Sequence, residues 1–278
     1  AALTAMCNAG DAVLVPDPVY DAYLSPIRLA GAEPVSVPAT IRNGRFTLPI
    51  EALEAAWTPT CRALLLNTPW NPTGTVFTKE ELTAIAAFCE RRGLTIISDE
   101  IYEAIVYDGH QHLSPAAFLP HRSVIVNALS KTYCMTGWRV GYVAAPEAFV
   151  KAMLLVLQQS SRGPATFVQD AAAAALSGPQ DCVAAMRAEY ARRRGQVLAA
   201  LPMALAPEGG FFAMADVRGR GLSSDAIRRR LLAEFGVVVI HGAAYGVAGE
   251  GTLRVSFASG GDTLTRGLEA LRRGLDSL

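Results

Sequence analysis

Between residue 12 and about residue 145 the chain alternates short β-rich runs with helical patterns, and nothing else in it limits the fold as strongly. The runs are AVLV (12–15), ALLLN (63–67), LTIIS (94–98), SVIVN (123–127) and VGYVAA (140–145). Several are apolar throughout, as strands covered on both faces of a parallel sheet are. The segment between the second and third reads as a helix. Thr78 and Glu81 have capping-box spacing, Leu82, Ile85, Ala86 and Cys89 share one face, and Gly93 is placed to end it. Strand, helix and strand in that order form a βαβ unit. The region is therefore α/β, with a mostly parallel central sheet carrying helices on both faces.

After this region the AAAAAL run (171–176) and the stretch Cys182 to Leu201 read as helices, the second keeping Met186, Tyr190, Val197 and Leu201 near one face. A strand (GGFFAMADV), a helix (SSDAIRRRLLAEFG), two strands (VVVI and TLRVSFA) and a last helix ending at Leu278 complete a smaller α+β unit. A chain of 278 residues can bury one large core and one small one, and the expected division is a large domain over 1–184 and a small one over 185–278.

Composition narrows the function classes. The 25 basic and 25 acidic side chains cancel, which leaves no electrostatic case for nucleic acid or an anionic membrane. No apolar run approaches a membrane span, and the opening residues lack the order of a signal peptide. The five cysteines (Cys7, Cys61, Cys89, Cys134 and Cys182) are scattered, odd in number and never spaced C-x-x-C, so a reduced, cytoplasmic protein is expected. His110 and His112 in GHQH have no third ligand in view and read as a solvated loop rather than a metal site. The RRR runs at 192–194 and 228–230 read as solvated helix faces. The first residues read as the end of a helix with no capping residue before it, so a missing upstream segment is expected.

Ligands of an open parallel sheet bind outside the carboxyl ends of its strands. ALLLN runs into TPWNPTG, which carries Asn71; LTIIS runs into DEIYE, which carries Asp99 and Tyr102; SVIVN runs into ALSK, which carries Ser130 and Lys131. An amide, a carboxylate, a phenol and an amine are thus delivered to one edge. Taken singly, each residue has a plainer reading. Lysine at a strand end is usually solvated, Asp99 and Glu100 can be cap or loop acids, and Tyr102 can be a core residue with its hydroxyl at the surface. NPTG is a good turn sequence, and Arg254, out of phase with Leu253, Val255 and Phe257, can be a solvated arginine on the outer face of a strand. The plainer readings do not account for the repeated placement.

The segments NTPWNPTG, SDEIYE and SKTYCMTGWRVGY resemble the signature segments of the class I/II aminotransferases, the fold type I enzymes that use pyridoxal 5'-phosphate. GDAVLVPDPVYDAY, PEGGFFAMADV and TLRVSFA extend the resemblance across the whole chain. The resemblance implies that Lys131 holds the cofactor's aldehyde as a Schiff base and then moves the proton between Cα and C4'. It implies that Asp99 keeps the pyridine nitrogen protonated, and that Tyr102 and Asn71 hydrogen-bond the ring's 3'-oxygen. Arg139 and Ser130 then take the phosphate, Tyr20 stacks on the pyridine face, Arg254 grips the substrate's α-carboxylate, and Trp70 lines the substrate pocket or packs beside it. Asn71 doubles as a substrate contact.

The resemblance further implies an amino-acid:2-oxo-acid aminotransferase working by a ping-pong cycle, as a homodimer in the full-length protein. A C–S β-lyase or a decarboxylase on the same scaffold, and an inactive or ligand-sensing domain, are the alternatives. The pattern departs from the family in places. Ala128 stands where many relatives have a phosphate-binding serine, and His241 where the small-domain turn usually has proline, HGAAYG against P-G-x-x-F-G. The family's N-terminal arm and the turn that opens its phosphate-binding helix are not among these residues, so a truncated member is expected.

Overall fold

The computed structural model describes residues 1–278. Its frame is a six-stranded sheet. β1 (Ala12–Asp17) pairs with β2 (Glu33–Pro38), and a short hairpin, β3 (Thr40–Arg42) and β4 (Arg45–Thr47), follows. β5 (Cys61–Asn67), β6 (Thr95–Asp99), β7 (Ser123–Ala128) and β8 (Gly141–Ala144) complete the order β2-β1-β5-β6-β7-β8. All neighbours are parallel except β7 and β8, which run antiparallel. The apolar runs alternate sides as a doubly covered sheet requires. Leu14, Leu64, Leu66 and Ile96 enter one core, and Val13, Val15, Leu65 and Ile97 the other.

Helices cover these faces. α1 (Ala2–Met6) and α2 (Leu24–Leu29) lie toward one, α3 (Ile50–Ala56) and α4 (Lys79–Arg92) toward the other. α4 keeps the expected cap: Thr78 Oγ1 accepts the Glu81 N–H at 3.2 Å, the Glu81 carboxylate accepts the Thr78 N–H at 2.8 Å, and Gly93 closes the helix. Its buried face is Leu82, Ile85, Ala86, Phe88 and Cys89. α5 (Leu129–Thr132) is a single turn that begins where β7 ends. α6 (Glu147–Gln159), α7 (Thr166–Ser177) and α8 (Asp181–Ala200) then lead to the second sheet.

That sheet is antiparallel, in the order β11-β12-β10-β9, with β9 (Ala204–Leu205), β10 (Phe212–Asp216), β11 (Ile240–His241) and β12 (Thr252–Ser256). It shares a separate core with Val197 and Leu201 of α8, with α9 (Ser224–Phe235), and with Leu264, Leu268, Leu271 and Leu275 of α10 (Gly261–Asp276). The VVVI strand is shorter than its composition predicts. Only Ile240 and His241 pair with β12, while Val238 is 82 % exposed between buried Val237 and Val239. The run alternates like an edge strand but lacks a ladder over most of its length.

A joint around Gly74 ties the two sheets together. The Gly74 carbonyl accepts the N–H groups of Glu208 (2.9 Å) and Gly209 (2.8 Å). The Glu208 carboxylate lies 3.0 Å from Arg45, which also pairs with Glu81 at 2.7 Å. Gly74 has φ +75°, and a Cβ there would overlap the Pro207 side chain and lie 2.9 Å from its Cα. Replacing it strains the backbone and forces the joint open. Gly74→Ala is expected to lower the unfolding free energy by about 2 kcal/mol, read from the midpoint of a urea titration.

Candidate active site

Strand register sets the site. Asn67, Asp99 and Val126 lie side by side at the ends of β5, β6 and β7. The ends are tied to one another. Asn67 Nδ2 (2.8 Å) and the Thr68 N–H (3.0 Å) both donate to the Asp99 carbonyl, and the Glu100 N–H donates to the Val126 carbonyl at 2.9 Å. Each strand then turns out within a few residues of a polar group, so Asn71, Tyr102, Ser130 and Lys131 emerge at the same edge.

Asn71 is buried, and its orientation follows from its neighbours. Its N–H donates to Asn67 Oδ1 at 2.7 Å, and its Oδ1 accepts from Arg254 at 3.0 Å. The amide's Nδ2 is therefore the end left to donate. Arg254 extends from the middle of β12, where it pairs across to Met214 and Ile240. Its guanidinium carbon lies 4.3 Å from the Phe212 ring centroid and 4.9 Å from that of Tyr245. Arg254 is thus half-buried between two rings rather than solvated on an outer face.

The half-buried Asp99 carboxylate accepts the Tyr23 hydroxyl at 2.6 Å and the Ile101 N–H at 3.1 Å. Burial pushes this carboxyl up from its ordinary range, the hydrogen bonds from Tyr23 and Ile101 pull it back, Glu100 adds to the rise and the Lys131 amine opposes it. Tyr23 was not singled out by the sequence; its phenol is raised well above its usual value by burial and by Asp99 beside it. Only its place three residues after Tyr20, in an aromatic cluster, hinted at it. The Tyr102 phenol is likewise raised by burial and by Asp99, with Arg254 opposing and Tyr20 adding to the rise. Its ring meets Phe211 edge-on, centroids 5.3 Å apart.

Lys131 is half-buried, with Nζ 5.6 Å from the Phe211 centroid. Buried Ser130, beside it, lends its carbonyl to the Thr136 hydroxyl at 3.0 Å. Arg139 has φ +54° and is exposed, with Nη1 on the Thr136 carbonyl at 2.9 Å. It shares with Asp99 a 1180 Å³ hollow otherwise walled mostly by apolar residues, Leu65, Ile97 and Val126 of the sheet and Val150, Met153 and Leu154 of α6 among them. Tyr20 is 37 % exposed and meets Tyr23 edge-on, centroids 5.3 Å apart.

The structure narrows one expectation and changes another. Trp70 is 3 % exposed, stacked on Phe77 at 5.7 Å, and its indole N–H donates to the Pro18 carbonyl at 2.9 Å. It packs in the core behind the asparagine motif, the second of the two placements the sequence left open. His112 and Glu100 are not loop residues in solvent. Glu100 is 2 % exposed, its carboxylate 2.9 Å from His112 Nε2 and 2.7 Å from the Ser114 hydroxyl.

The raised Asp99 carboxyl has a consequence for the protein without ligands. An acid whose folded pKa lies above its unfolded value stabilises least once it ionises: its contribution is complete below about pH 3.8 and is lost as pH rises through the folded pKa. Asp99→Asn keeps the shape and removes the charge. The ligand-free variant is expected to be more stable than the parent at pH 7, with the gap closing toward pH 4, as measured by chemical denaturation across that range.

The family model for "Aminotransferase class I and II" matches residues 1–271. Aromatic-amino-acid aminotransferase 2 of Thermococcus litoralis is 40% identical over 98% of this chain and 72% of its own length. An aspartate aminotransferase of Pyrococcus abyssi is 38% identical over the same shares, 98% and 72%. Among solved structures, the aromatic aminotransferase from Pyrococcus horikoshii superposes with a TM-score of 0.95 at 38% identity, covering 99% of this chain and 76% of that one. The chain belongs to the aminotransferase class I and II family, with the fold type I architecture and the transaminase activity of that family.

Proposed function

We propose that this chain moves an amino group between an L-amino acid and a 2-oxo acid by a ping-pong cycle, using pyridoxal 5'-phosphate held by Lys131 as a Schiff base. The observation that carries the reading is the Asp99 carboxylate. It opens on a hollow, its pKa is raised, and its hydrogen bonds come only from a phenol and a backbone N–H. Such a carboxylate favours a cationic partner, and a protonated pyridine nitrogen is one. The rest of the donor set suits the same group. An amine suits an aldehyde, a guanidinium a phosphate, and a phenol and a free amide N–H an anionic ring oxygen.

When bound, the cofactor supplies the electron sink for cleavage at the substrate's Cα. The chain's residues do the rest. The Lys131 amine would take and return the proton at the substrate's Cα. Asp99 would hold the ring nitrogen's proton, and Tyr102 and Asn71 Nδ2 would hydrogen-bond the 3'-oxygen. Arg139 and the Ser130 hydroxyl would bind the phosphate, and Tyr20 would cover the ring. Arg254, with one nitrogen on Asn71, keeps other N–H groups for the substrate's α-carboxylate.

The reading includes two domains divided near residue 184, inside the first turn of α8, and a cytoplasmic homodimer. All five cysteines are unpaired, and Leu154, Leu155 and Phe167 stand exposed on α6 and α7 as a contact surface would. No helix is long and apolar enough to cross a membrane.

The test is transamination by the protein loaded with pyridoxal phosphate. A panel of aromatic, acidic and basic amino acids is offered with 2-oxoglutarate or pyruvate as acceptor. An oxo acid forming only when an acceptor is present supports the reading; ammonia released without one assigns a lyase instead. Borohydride reduction is expected to fix the cofactor at Lys131, and Lys131→Ala to slow turnover by at least about 10³-fold. A label elsewhere, or an unimpaired variant, refutes the assignment.

A further inference from the structure

The grip of Arg254 on a substrate carboxylate, the reading on which the following rests, depends on how its guanidinium is held. One of its two flanking rings, Tyr245, lies on a segment that crosses from the second sheet to the end of β1. Three hydrogen bonds fasten that segment. The Val19 N–H donates to the Tyr245 carbonyl at 2.6 Å, and the Val247 and Ala248 N–H groups donate to the two Asp17 carboxylate oxygens at 3.0 and 3.2 Å. The Ser36 hydroxyl adds a bond to Asp17 at 3.1 Å. Asp17 is 4 % exposed, and no ion pair involves it. A carboxylate buried among neutral donors is costly to desolvate, so its position is fixed by those donors. Between Tyr245 and Val247 sits Gly246, φ +126°, where a Cβ would overlap the Asp17 carboxylate. Backbone and carboxylate are in contact there, with no slack between the fastening and the ring one residue away.

We propose that Asp17 and Tyr245 are positioning residues for substrate binding. Asp17 pins residues 245–248 so that the Tyr245 ring stays against Arg254 and, with Phe212 on the other ring contact and Asn71 on one nitrogen, aims the remaining N–H groups at the α-carboxylate. A freely rotating arginine would have to be ordered by each incoming substrate; one already held between rings loses less on binding. Asp17 touches neither substrate nor cofactor in this arrangement and acts through Tyr245.

The experiment compares two ligands with the pyridoxal-phosphate-loaded protein, 3-phenylpropionate and its neutral counterpart 3-phenylpropanamide, by calorimetry. Both share the aromatic tail, and only one carries a carboxylate. Asp17→Asn and Tyr245→Leu are each expected to weaken the carboxylate about tenfold relative to the amide, and to raise KM for the reacting amino acid more than they lower kcat. The absorption band of the Lys131-linked cofactor is expected to stay where it is, because Asp99 and Lys131 are untouched. Equal weakening of both ligands, or none, overturns the proposal by reducing Asp17 to a structural fastening. Tyr245→Leu decides if Asp17→Asn does not fold, because it leaves the Asp17 hydrogen bonds in place. Arg254→Leu separates the two levels of the argument. If it too keeps the preference for carboxylate, the role given to Arg254 is wrong; if it abolishes the preference while the other two variants do not, only the positioning role is lost.

Discussion

The level ends of β5, β6 and β7 are the constraint on which everything else at this site depends. Parallel pairing with Asn67, Asp99 and Val126 in one row means that a carboxylate, an amide four residues beyond its neighbour and an amine five residues beyond the next emerge together. A slip of one residue in either pairing would turn Asp99 to the opposite face of the sheet. The register is secured twice over, by the apolar alternation that fills two separate cores and by the side-chain and backbone bonds that tie the strand ends. The sheet core is therefore a condition for the chemistry as well as for stability.

Much of this was legible in the sequence because it depends on local pattern. Apolar runs marked five of the six strands of the large sheet to within two residues of their ends, while the half-exposed edge strand β2, with its mixed sequence EPVSVP, carried no such run; the Thr78–Glu81 spacing marked the start of α4, and strand-end logic brought Asn71, Asp99, Tyr102 and Lys131 to one edge. What stayed hidden depends on contacts between distant segments. Tyr23 reaches Asp99 across 76 positions, and Asp17 reaches the 247–248 amides across 230 or more; no periodicity signals either. His112 was misread for the same reason: a histidine beside glycine looks solvated until Glu100 is known to be buried 2.9 Å away. Trp70 was ambiguous because burial of an indole next to a polar motif is decided by Phe77 and the Pro18 carbonyl, both outside the motif.

The site also belongs to neither sheet alone. Asn71 and Tyr102 come from the first, Arg254, Phe211 and Phe212 from the second, and the Asn71–Arg254 bond and the Tyr102–Phe211 contact join them. The joint at Gly74 and Glu208 and the fastening at Asp17 cross the same seam. Motion of one sheet against the other would act on Arg254 as on these bonds, since its backbone belongs to β12 while its hydrogen-bond partner follows β5. The orientation of the guanidinium thus depends on the relative placement of the two sheets.

That coupling explains why the residue is arginine. A lysine at 254 could place one charge near the same point, but it has no plane to lie against Phe212 and Tyr245 and no fork to divide between an amide oxygen and a carboxylate. The guanidinium satisfies three demands at once: it stacks, it bonds across the seam, and it still presents N–H groups in a fixed plane. Each demand comes from a different element, and only the folded arrangement brings them onto one side chain. An arginine lying out of phase in an otherwise apolar strand is what the sequence shows of this, and the two rings and one amide around it are what fix its orientation.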